Sequence, residues 1–482
     1  MDFHNKKIMK LSTITLVFTL FLVVGCSQLD NRNAEPSLNR ERDNANVPLP
    51  LHDGLSDDLE IKIRALEMEF ASIREHNFEV SPQSYAQITA KLDELKESND
   101  ARVQRLRDEL ALLKVGGMQQ GQNVQPQEQG YINKNCQGSG PVVFTYPPMD
   151  LDDIETILPL GMMIGGHVTP IDHGYFTAKS WEVERNDPAK FVNVYAPADG
   201  FITASSMPSE FMSSEFGDYY ITLHYTCTFY SIFIHVNVLS EKLQAIADTK
   251  QAAQVKAGEV IGQAPGFDFA VQNDEVVLPG FIVPEHYEVE PAKIHTVSMF
   301  DHFQEPLRSQ LLEKNVRQKE PRSGKIDYDI DGYLVGNWFE EGTNGYRGKE
   351  EYHSSIGYWA THLSFAYDGL DPDLVIVSIG DFDSQARQFA VKGNAPDPKD
   401  VSVSSGLVTY ELVGWQYLTS EGKEWDRISF AKVVGSKRYE DSIKGVVLVQ
   451  MLDDRKIKFE AFPGKKASEV SGFSSNAKIY ER

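Results

Sequence analysis

Three side chains able to hold a metal, His167, Asp172 and His173, fall within GHVTPIDHGYF, residues 166–176. Imidazole nitrogens and carboxylate oxygens are donors that zinc accepts, and a site with three protein ligands keeps a fourth position open for chemistry. If residues 167–173 ran fully extended, the two histidines would stand about 20 Å apart and could not share one ion. Pro170 favours a bend, so a turn at Thr169-Pro170 is expected to bring Asp172 or His173 back toward His167. The plainer alternative is a polar turn between strands, with these side chains bonded to backbone.

The elements that must carry such a cluster are legible around it. FVNVYAPADGFITA, DYYITLHYTC and YSIFIHVNVL are short β-branched and aromatic runs separated by Gly, Pro and Asp, the pattern of an antiparallel all-β domain, here 136–305. Upstream, Leu59, Ile63, Leu66, Phe70 and Ile73 alternate spacings of four and three, a helical stripe. A second stripe carries Tyr85, Ile88, Leu92 and Leu95, then Leu106, Leu110 and Leu113, and the two predict an α-helical hairpin over 55–114. A Gly/Gln-rich linker, 115–135, separates it from the β domain. After a stretch rich in Lys, Arg and Glu, strand-like text returns, giving a C-terminal β-rich domain over 325–482 whose role the residues do not reveal. The expected fold class is therefore multidomain: helical hairpin, central all-β domain, C-terminal β-rich domain.

Composition narrows the partners. A formal charge of −23 on 482 residues would repel nucleic acid, so no nucleic-acid partner is expected. The start has a basic n-region, Lys6, Lys7 and Lys10, and an apolar run from Leu11 to Gly25, shorter than the roughly 20 residues a spanning helix needs. Residues 1–25 are thus expected to be an export signal. Val23-Val24-Gly25-Cys26 resembles the bacterial lipobox, which implies lipid attachment at Cys26. Ser27 after it resembles the sorting signal for the outer membrane, so the expected location is a membrane-anchored lipoprotein of the envelope, at the outer membrane or cell surface. Residues 26–54, polar and poor in apolar side chains, read as a disordered tether. The remaining cysteines, Cys136 and Cys227, are an even pair in an exported chain and are expected to form a disulfide.

Within the β domain, Val194-Tyr195-Ala196-Pro197-Ala198-Asp199-Gly200-Phe201-Ile202, then Phe233-Ile234-His235-Val236, then Val255-Lys256-Ala257-Gly258-Glu259-Val260-Ile261-Gly262 resemble three landmarks of the lysostaphin-type (LytM-like) metallopeptidases, in that family's order. The resemblance spans about residues 160–275. It implies a duplicated-hybrid-motif fold and a zinc site that hydrolyses peptidoglycan. In the family the ion is held by a His, an Asp four residues on, and the second His of a late His-x-His pair; the first His of that pair and the middle-landmark His assist. By the resemblance His167 is the first ligand and His235 the catalytic imidazole. Asp172 follows His167 by five residues instead of four, with His173 as an added donor. The late pair reads Gly266-Phe267-Asp268, so one imidazole is lost and Asp268 replaces the other.

Two other patterns are weaker. Asp327, Asp329 and Asp331 imitate half of a calcium loop, but its twelfth position is Trp338, so a charged turn is expected. Four of the five tryptophans lie in the C-terminal region, where they could stack on sugars or pack a core. The functional expectation is an envelope lipoprotein acting on or binding peptidoglycan, with partners peptidoglycan or a wall hydrolase. Its degenerate site suggests a weakly active or non-catalytic regulator. The alternatives are an active zinc endopeptidase with an altered His/Asp set and a glycan-binding surface lipoprotein.

Overall fold

The computed structural model describes residues 136–482, apart from 180, 182–186, 208–215, 250, 344, 354–356 and 428, together with scattered positions between 66 and 115. The signal peptide, Cys26, the tether, the linker and most of the expected helical hairpin lie outside the described residues. Residues 29–127 form a compact unit of their own. Within it, the described Leu66, Ile88, Leu92, Val103 and Leu106 are buried, and Glu79–Val80 pairs in parallel with Lys114–Val115.

The described residues from 136 to 482, which belong to the other unit, are mostly β. Its first part contains β1 (Ile154–Leu158), β2 (Gly174–Ala178), β3 (Val192–Tyr195), β4 (Gly200–Ser206), β5 (Tyr219–His224), β6 (Phe229–Val236), β7 (Val238–Leu239), β8 (Ala253–Val255), β9 (Val260–Ala264), β10 (Gly266–Asn273) and β11 (Thr296–Val297). An antiparallel sheet runs in the order β8-β4-β5-β6-β10-β2-β1, with β11 also on β10, and β3, β9 and β7 make a small second sheet. Strand alternation decides what each face carries. On β10, Phe267, Phe269 and Val271 enter a core shared with Phe233, Ile202, Ile221 and Leu223. Asp268 therefore projects from the other face, flanked in register by Ile234 of β6 and Tyr175 of β2. The Cys136–Cys227 disulfide is present and ties the start of the domain to the β5–β6 turn.

The C-terminal part is a closed antiparallel barrel of eight strands: β12 (Gly336–Glu340), β13 (His362–Tyr367), β14 (Val375–Ile379), β15 (Arg387–Val391), β16 (Leu407–Thr419), β17 (Val433–Asp453), β18 (Lys456–Pro463) and β19 (Lys478–Glu481). Pairing of β19 with β12 closes it and removes the free edges a flat sheet would leave. Val375, Val377 and Ile379 point inward with Trp338, Tyr410 and Phe459, so the interior is filled by side chains. Of the four C-terminal tryptophans, Trp338, Trp359 and Trp425 are buried, and Trp415 is half-buried beneath the Arg427 guanidinium, which makes packing their role. The half calcium loop is engaged otherwise. Asp327 pairs with Lys325 and accepts from the Gly280 N–H, Asp329 accepts from the Asn337 N–H, and Asp331 pairs with Arg455. Between the two β parts the charged stretch is packed: Leu307–Lys314 is helical, and the buried Arg317 guanidinium donates to the carbonyls of Lys319, Glu320 and Gly369.

Candidate functional site

The segment before β2 folds back on itself. Ile164 and His167 exchange backbone hydrogen bonds, and the Gly161 and Ile171 N–H groups donate to the carbonyls of Ile171 and Met162. A first reversal thus falls at Gly165-Gly166, ahead of His167, where Gly165 takes φ +54°, and the bend expected at Thr169-Pro170 is present at Thr169. That bend and another at Asp172-His173 return the chain, and the His167 and His173 rings end edge to face with centroids 5.7 Å apart. Lys293, almost fully buried, fixes this path by donating to the Pro170 carbonyl at 2.9 Å.

Around that turn the structure assembles a chain of ionisable groups. His173 Nδ1 lies 3.2 Å from Asp172 Oδ1, and its Nε2 lies 3.3 Å from Asp268 Oδ2. From the other side His235 Nε2 approaches the same Asp268 oxygen at 3.7 Å, while its Nδ1 sits 2.9 Å and 3.1 Å from the two oxygens of Asp218. A carboxylate only accepts, so Nδ1 of His235 carries the hydrogen and Nε2 is turned to Asp268. His235 holds a φ of +68°, a conformation unfavourable for a residue with a Cβ and found where surroundings over-determine it.

Burial and these partners set the protonation states. His167 is pushed down to about 3, first by burial and then by His173 and Lys293, so it is neutral. For His235 burial acts downward but is outweighed by Asp268 and Asp218, which raise it to about 9. His173 is likewise raised: burial opposes, and Asp268 and Asp172 prevail. Burial raises Asp268, partly offset by His173 and His235. Asp172 is lowered, because Lys293 and His173 outweigh its desolvation. Glu290 is pushed up to about 7 by burial and by the charge of Asp172.

Of the candidates, His167, His173, Asp268 and His235 come together. Asp172 stands behind His173, with its Oδ1 near His173 Nδ1 and 3.8 Å from Lys293, rather than facing Asp268. Asp218, Lys293 and Glu290 were missed. Only the Gly-Asp step before a strand marked Asp218, and such steps are common. Gly266 is explained by space: a Cβ there would lie 2.9 Å from the Phe176 carbonyl and 3.1 Å from the Trp181 ring, so the position has little room for a side chain.

The donors fit a metal in part. The Nε2 of His167 is buried without a hydrogen-bond partner, as a ligating nitrogen would be, while that of His173 makes no hydrogen bond but faces the Asp268 carboxylate. Zinc bonds near 2.0–2.1 Å in a tetrahedral set place ligand atoms roughly 3.3–3.4 Å apart, and the His173–Asp268 approach of 3.3 Å matches. Among the described residues, no three His, Cys, Asp or Glu side chains are gathered closely enough to hold an ion as they stand. The convergence is pairwise, with His167 next to the pair.

No family model and no curated protein matches the chain. Among solved structures, the NMR solution structure of lysostaphin is similar at a TM-score of 0.22 and 12% identity, covering 71% of this chain and 92% of that one. So slight a likeness carries no argument, and the functional reading rests on the residues.

Proposed function

We propose that this chain is a cell-envelope lipoprotein whose central β domain binds zinc through His167, His173 and Asp268 and hydrolyses peptidoglycan peptides slowly. The observation that carries the reading is the approach of two imidazole Nε2 atoms to one oxygen of Asp268, at 3.3 Å and 3.7 Å, beside a third, unpartnered imidazole nitrogen. A bound zinc ion would supply Lewis acidity there. Asp172 orients His173 through Nδ1, the usual task of a carboxylate behind a ligating histidine. Asp218 fixes the tautomer of His235, so Nε2 holds or releases a proton at the mouth of the cluster. With Gly266 in place of a second imidazole, one general acid–base contribution, roughly a hundredfold or more in rate, is missing.

Burial favours a second reading. The side chains of His173 and Asp268 are each 11% exposed and that of His235 19%, little access for a polymer, which suits a regulator of a separate wall hydrolase. Release of free amino groups from purified peptidoglycan, with zinc and with chelator, distinguishes them. Slow, zinc-dependent release abolished by His173→Ala and His235→Ala is expected; no release at any zinc level, with stimulation of a wall amidase, would establish the regulator instead. The anchor at Cys26 is tested by Cys26→Ser, which should move the protein out of the membrane fraction; retention there would refute it.

A further inference from the structure

The segment that carries His167 is seated on the C-terminal barrel. Met163 packs in one cluster with Ile376, Ala390 and Val413, residues of β14, β15 and β16 that alternate with the barrel's inward-facing set and so form its outer wall. Two residues on, the Gly165 N–H donates to Gln388 Oε1 at 3.1 Å, and the Gly165 carbonyl accepts from Gln388 Nε2 at 3.0 Å. One side-chain amide thus satisfies both backbone groups of the residue at the apex of the reversal. A second contact from Nε2 to Ser378 Oγ, 3.3 Å away on the neighbouring strand, fixes the amide's orientation. Gly166 then passes under the indole of Trp359, which lies so close that a Cβ would stand 2.8 Å from the ring. His167 follows directly.

We propose that Gln388 and Trp359 of the barrel are positioning residues for His167, which makes the barrel a part of the central domain's site and not a separate appendage. The physical requirement is clear. A ligand must be held to within about half an ångström of its productive place by groups that are themselves locked. A turn built on two consecutive glycines has no side chains of its own to lock it and the largest backbone freedom to lose. Gln388 and Trp359 supply that restraint from outside, at the two residues immediately before the ligand.

The test compares the full chain with Gln388→Ala, a half-buried surface position whose truncation leaves the barrel interior untouched, and with Trp359→Leu. Hydrogen exchange over residues 161–168 reads the hold itself, and competition with a chromophoric chelator reads zinc affinity; only this second reading rests on the proposed zinc function. Gln388→Ala should speed exchange in 161–168 about tenfold or more while exchange in β14 and β17 stays unchanged, and should weaken zinc about tenfold, the lower end for loss of a supporting contact. Exchange within twofold of the parent, or a loosened segment with unaltered zinc affinity, overturns the proposal. A parent protein that takes up no zinc refutes the zinc function instead, and the exchange result alone then decides whether the barrel holds this segment.

Discussion

Asp218 is the residue on which the chemistry of His235 depends. Its side chain is wholly buried and both oxygens face His235 Nδ1, so removing its charge leaves the imidazole free to take the other tautomer. Asp218→Asn should lower the rate of wall-peptide release tenfold or more, with little change in zinc affinity; an unaltered rate would show that His235 acts without it. The same buried groups give the metal-free protein a pH signature. His167, lowered to about 3, contributes stability that is present above the unfolded value near 6.5 and is lost as pH falls toward 3. His235, raised to about 9, contributes stability that is present below about 6.5 and is lost as pH rises through 9. Glu290, pushed up to about 7, acts in the opposite sense to His167 between about pH 4.5 and 6.5. Urea midpoints in chelator should therefore fall clearly on the alkaline limb, from about pH 7 through 9, by an amount of order a few kcal/mol. A midpoint still rising at pH 9 would contradict the state assigned to His235.

At the scale of elements, strand register explains what the sequence disclosed and what it hid. His235 and Asp268 were singled out only by their places in the resemblance, the middle landmark and the late pair; alternation did not mark them, since Ser231 shares the parity of His235 and Gln272 that of Asp268. That Asp268 lies between Ile234 and Tyr175 could not be read, because those partners are 34 and 93 residues away along the chain, with no local signal. The bend at Thr169 was legible because Pro170 punctuates the chain there, whereas the reversal at Gly165-Gly166 was not, because Gln388 of the barrel restrains it from a distant part of the sequence. The Cys136–Cys227 bond closes a separation of 91 residues and pins the domain's first segment beside the β5–β6 turn. By loop-closure entropy it should stabilise the domain by roughly 2–4 kcal/mol. Paired Cys136→Ser and Cys227→Ser substitutions should lower the denaturation midpoint accordingly. A midpoint shift of under about 0.5 kcal/mol would mean that the bond constrains nothing that unfolds.

Over the whole molecule, the sequence marked a β-rich C-terminal region but not its closure, since β12 and β19, which meet to complete the barrel, are about 140 residues apart. Nor did it show that the outer wall of this barrel meets the Gly161–His167 segment. Each strand's outward residues look, taken singly, like any solvent face interrupted by Ile376 or Val413. The buried cluster and its cover together form one assembly: the central sheet supplies His235 and Asp268, the segment before β2 supplies His167 and His173, and the barrel holds that segment. The proposed function requires this assembly to take up a metal ion. Metal analysis of protein purified without added chelator, then titrated with zinc, tests it most directly. The account predicts one zinc per chain, retained through gel filtration and lost in His173→Ala and in Asp268→Ala; a folded protein that retains no zinc, or one whose zinc survives both substitutions, would contradict it.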